Sequence, residues 1–84
     1  MSKSNKPIIR HVHTDAKGWQ TITYGTVVNE TTVSDIPVLE VLVSRIHARH
    51  QDDPELSGRN LPFHKGRVEV FDARECLPLP VGPV

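Results

Sequence analysis

Cysteine is all but missing from this chain: Cys76 is the sole one in 84 residues, so an internal disulfide is excluded, and with it a stapled secreted scaffold. Aromatic residues are nearly as scarce. One Trp, one Tyr and two Phe leave Val, Ile and Leu to build a thin core. Long apolar runs are lacking too, with no apolar segment after Met1 and nothing near a membrane-spanning length, so the expectation is a cytoplasmic protein without a membrane partner. Glycine-rich phosphate loops are missing; Gly58 and Gly66 stand isolated. Net charge is absent as well. Ten basic residues cancel ten acidic ones, which argues against a nucleic-acid binder that works by overall charge.

The charges are nonetheless unevenly spread. Residues 1–28 carry Lys3, Lys6, Arg10 and Lys17 against Asp15, for +3, while residues 29–56 carry Arg45 and Arg49 against six acids, for −4. The rest of the chain is +1. Such polarity suits orientation of a partner or head-to-tail pairing of two copies.

The densest apolar stretch is Ser34 to His50, SDIPVLEVLVSRIHARH. Its spacing predicts a helix: Ser34 or Asp35 caps, Pro37 falls in the first turn, and Leu39, Leu42, Val43 and Ile46 follow the i, i+3, i+4, i+7 pattern. The β-branched Val38, Val41 and Val43 support a strand instead, but the stripe outlasts a typical strand.

Two strands precede it, Ile8 to Thr14 and Trp19 to Val28, joined through Asp15-Ala16-Lys17-Gly18. A three-residue loop with Gly18 in the left-handed position predicts a hairpin that sets Val12 opposite Ile22 and Arg10 opposite Tyr24. That register gathers Ile8, Val12, Ile22, Tyr24 and Val28 on the expected inner face and His11, His13, Thr21 and Thr23 on the expected solvent face. Gly25 marks a bulge or a close approach. Asp53 and Pro54 begin a short turn after His50, and Arg67 to Asp72 reads as a further strand.

The expected fold is therefore α+β: a small antiparallel sheet in β-β-α-β order packed on one helix, as a single domain over residues 7–76. Residues 1–6 read as a polar tail and residues 77–84 as a proline-rich one.

No catalytic signature accompanies this outline, and neither an enzyme nor a cofactor is expected. Cys76 beside prolines is poorly placed as a preorganised nucleophile. Five histidines are the oddity of the composition, with His11 and His13 alternate on a strand and His47 and His50 one helical turn apart, while His64 lies in a loop. These spacings suit chelation, making a metal-binding protein a third reading, but no Cys or Glu completes a zinc pattern and no metal site is assigned.

The first reading is a small protein-binding module, an accessory or regulatory factor that acts by docking, or a dimer-forming one. By analogy of size alone, phage-encoded inhibitors of host proteins belong to this class. In the helical picture Val41 and Ala48 project away from Leu39 and Ile46, with Val38 at the border, so that Val38, Val41, Arg45 and Ala48 face a partner. The long loop adds Arg59, Phe63, His64 and Lys65. The alternative is a nucleic-acid-binding accessory protein that uses Lys3, Lys6, Arg10, His11, His13 and Lys17, with Trp19 for stacking.

Overall fold

The computed structural model describes residues 7–79, and its fold is mainly β. Strands β1 (Ile8–Thr14), β2 (Trp19–Val33) and β3 (Ile36–His50) are followed by a single helical turn α1 (Pro54–Ser57), then β4 (Arg59–Leu61), β5 (Val68–Asp72), a 3-10 turn (Ala73–Glu75) and β6 (Cys76–Leu79). All strand pairings are antiparallel, in the order β4-β3-β2-β1-β6, with β5 also paired to β3. No helix among the described residues is long and apolar enough to cross a membrane.

This corrects the expected α+β architecture. The segment Ser34 to His50 is not a helix but the turn and second arm of a long hairpin. Ser34 and Asp35 have φ of 51° and 68°, the left-handed pair that a two-residue hairpin turn requires, and Val33 pairs directly with Ile36 around them. The same two residues that resemble a helix cap therefore reverse a strand. The helical spacing has an equally local cause. Between Tyr24 and Gly25 the register shifts, so that Tyr24 faces Arg45 and Gly25 faces Val43, leaving Ser44 as an extra residue. That bulge stretches the strand alternation from two to three between Val43 and Ile46, which imitates an i, i+3 step.

The first hairpin forms as its sequence predicts. Val12 pairs with Ile22 and Arg10 with Tyr24, and Gly18 has a φ of +89°. Asp15 holds the loop by accepting hydrogen bonds from the backbone N–H groups of Lys17 and Trp19, each at 2.9 Å.

Which face turns inward is the reverse of expectation. Cross-strand partners share a face, so Ile9, His11, His13, Thr21, Thr23, Gly25 and Val27 lie together with Val41, Val43, Ile46 and Ala48. This is the inner side, where Ile9, Val27, Val41 and Cys76 form the core with Leu39 and Phe71 against them. Thr23, expected in solvent, is 7 % exposed, while Ile8 and Val28 are exposed; Ile22 alone of the expected inner set is fully buried, between its neighbours Val12 and His47.

Curvature explains the reversal. His11 of β1 stacks on Phe71 of β5 with ring centroids 4.1 Å apart, although β2 and β3 intervene. In a flat sheet three strand spacings amount to about 14 Å. The sheet must curl over this face, and the three-residue 3-10 turn carries the chain from β5 across to β6 at the opposite edge.

The proline-rich segment contributes to the sheet: Cys76–Leu79 is its sixth strand, an edge position in which Pro78 is tolerated. Residues 1–6 and 80–84, the rest of the expected tails, lie outside the described residues.

Two carboxylates tie stability to acid pH. Asp72 caps the 3-10 turn, and hydrogen bonds from the Arg74 side chain, then from its backbone N–H, lower its pKa to about 2. The backbone N–H of Trp19 lowers Asp15 in the same way. A depressed carboxylate contributes stability above its unfolded value of about 3.9 and loses it as pH falls through the folded value. The melting temperature should therefore fall between pH ~4 and ~2, and Asp72→Asn should flatten that fall; a profile identical to the parent protein's would refute the assignment.

Candidate nucleic-acid interface

On the outer face, β1, β2 and β3 place Arg10, Tyr24 and Arg45 side by side, because Arg10 pairs with Tyr24 and Tyr24 with Arg45. The Arg45 guanidinium lies over the Tyr24 ring, 5.4 Å from its centroid. Two and four residues further along β3, His47 and Arg49 share this face by alternation. Neutral acceptors orient the row: Asn60 Oδ1 accepts from Arg45 Nε at 3.1 Å and lies 3.2 Å from His47 Nδ1, and Gln20 Oε1 accepts from Arg49 Nε at 2.9 Å.

These three arginines share one face and lack counter-charges among the described residues; Arg59 lacks one too but pairs with inward-facing Ala48. Arg67 pairs with Glu69 and Arg74 with Asp72, whereas no carboxylate among the described residues lies within salt-bridge distance of Arg10, Arg45 or Arg49. The Nε of Arg10 is moreover buried without a hydrogen-bond partner among the described residues, a cost that a fold optimised for stability alone would avoid. Three cations thus stand on one sheet surface without a counter-charge among the described residues, and neutral acceptors hold two of them, Arg45 and Arg49.

No family model, curated protein or solved structure matches the chain. The functional reading therefore rests on this geometry.

The residues singled out in the sequence are redistributed. Arg10 lies on the outer face, while His11 and His13 point inward, so the basic hairpin does not act as one surface. Lys17 sits exposed in the first turn, and Trp19, 40 % exposed, meets His50 edge-on at the sheet's end. Lys3 and Lys6 lie outside the described residues. Of the expected docking strip, Val41 is fully enclosed and Ala48 is buried, both in the chain's own core; Val38 is half-buried and only Arg45 is exposed. The premise of an outward-facing apolar helix side is gone. Arg59 is exposed on β4, and Phe63 and His64 line a shallow depression of about 320 Å³ with Pro62 and Arg67, next to exposed Lys65.

Sequence reasoning missed Tyr24 and Arg49. The signal was available in Arg45-Ile46-His47-Ala48-Arg49, whose polar residues alternate with period two, but a helical reading scatters them around an axis.

The histidines do not converge. His11 and His13 share the inner face and His47 the outer one, and no group of three metal-ligating side chains occurs among the described residues. His11 is instead engaged with Glu75, its Nε2 3.2 Å from Oε1, and it lines a cleft of about 330 Å³ with Thr21, Thr23, Ile46 and Phe71. Burial pushes the Cys76 thiol up from its ordinary pKa, which opposes nucleophilic use.

Proposed function

We propose that this chain is a small non-enzymatic binding module whose outer sheet face takes nucleic acid. The observation that carries this reading is the row Arg10-Tyr24-Arg45, continued by Arg49, in which guanidinium groups without counter-charges flank an aromatic ring. Phosphate is the planar, bidentate acceptor that an arginine fork matches best. Neighbouring strands lie about 4.8 Å apart, which anchors Arg10 and Arg45 about 10 Å from each other, and Arg49 is rooted about 13 Å further along β3. Cations spread in this way track a chain of phosphates rather than clamp one anion. Zero net charge does not oppose the reading, because affinity follows the local field of the row and not the total. Binding of labelled DNA at two salt concentrations tests it, with the arginine variants described in the Discussion.

A second reading, a protein-docking accessory factor, draws support from the depression beside Phe63. Pro62 and Phe63 offer an apolar floor with His64 and the Glu69-paired Arg67 at its rim and exposed Lys65 next in the chain, suited to an extended peptide. Affinity capture from host extract should then recover a partner that Phe63→Ser loses by about tenfold; equal recovery with both proteins removes this reading.

A further inference from the structure

Beside the arginine row, the same outer face carries a second, apolar strip. Pairing runs straight across five strands from Leu79 to Ile8, Thr26, Leu42 and Val68, so these side chains form one row on one face. Ile8, Leu42 and Val68 are 37 %, 39 % and 48 % exposed. A largely apolar row of this length on the outer surface of a small domain is a binding surface rather than an accident of packing.

We infer that the outer face is built for single-stranded nucleic acid, with phosphates along Arg10, Arg45 and Arg49 and base faces lying on Ile8, Leu42 and Val68. The inference rests on the nucleic-acid reading above and names its substrate class. A duplex presents phosphates and sugars on its exterior but keeps base faces stacked inside, so it can use the cationic row and not the apolar strip. An unpaired strand offers both surfaces side by side, an anionic backbone and splayed flat bases, and thus matches a sheet on which the Arg10-Tyr24-Arg45 row runs parallel to an apolar one, with Arg49 continuing the cationic path along β3 beyond it. Sequence preference is not expected, because apolar contact with a base face is the same in kind for all four bases.

Fluorescence anisotropy of the full chain with a 20-mer oligothymidylate, and with a duplex of equal length, decides the matter. At 50 mM salt the single strand should bind at least about tenfold more tightly than the duplex. The exposed-site double variant Leu42→Ser and Val68→Ser should lose most of that margin while leaving duplex affinity unchanged; Val68→Ser alone serves if circular dichroism shows the double variant unfolded. Equal affinity for the two nucleic acids, or a strip variant with undiminished single-strand binding, overturns the inference while the nucleic-acid reading stands. Failure to bind either at 50 mM salt overturns that reading itself. A dimer by light scattering that the strip variants dissociate assigns the strip to a second copy of the chain and overturns the inference too.

Discussion

Gly25→Ala is expected to leave little folded protein at room temperature, with a loss of about 3 kcal/mol, at the upper end of overpacking costs. A Cβ built at this position collides with Val41 Cγ1 and stands 2.5 Å from the carbonyl oxygen of Leu42. Neither neighbour can yield. Val41 is fully enclosed in the core, and the Leu42 carbonyl belongs to the strand that Gly25 pairs with beside the Ser44 bulge. A domain of this size holds only about 3–5 kcal/mol of net stability, so one added methyl group removes most of it. Gly66→Ala supplies the control. Its φ is +87° but nothing lies within 4 Å of the new Cβ, so only backbone strain remains, about 1 kcal/mol. Urea denaturation should separate the two variants clearly. A Gly25→Ala loss no larger than that of Gly66→Ala would mean that the β2–β3 approach is looser than described.

The second large effect concerns the arginine row. Replacing Arg45 and Arg49 by Gln should weaken nucleic-acid binding by about 10- to 100-fold at low salt, and adding Arg10→Gln should weaken it further. Each lost phosphate contact on a single strand lowers the slope of log K against log[salt] by about 0.7, so the triple variant should lose about 2 from that slope. The slope separates an electrostatic role from a structural one: partial unfolding lowers affinity at every salt concentration but leaves the slope of the folded fraction intact. Arg67→Gln is the comparison on the same protein. Its guanidinium is already paired with Glu69 and faces the inner cleft, so its loss should leave the slope unchanged. A triple variant with the parental slope would remove the outer face from consideration.

The arginine row was half visible in the sequence. Arg10 and Tyr24 are placed opposite each other by the first hairpin, because the Asp15-to-Gly18 loop fixes its register through a positive φ and a side-chain clasp, both local features. Arg45 and Arg49 could not be added to them. Their place beside Tyr24 depends on Ser34-Asp35 turning rather than capping, and on one bulged residue, and both features give the same sequence a helical spacing. Strand β5 shows the opposite case: Val68 and Val70 fall on one side and Arg67, Glu69 and Phe71 on the other, as alternation alone requires.

The sequence by itself determined the first reversal at Asp15 to Gly18, the alternation along β1, β5 and the first part of β2, and the want of a disulfide, because each follows from backbone sterics or composition within a few residues. Only the tertiary structure decided that Ser34 to His50 is extended and that the His/Thr side turns inward. Those outcomes depend on the curl that brings Phe71 onto His11 and Cys76 beside Ile9, contacts between residues about 60 positions apart in the chain, which no pattern confined to one strand encodes.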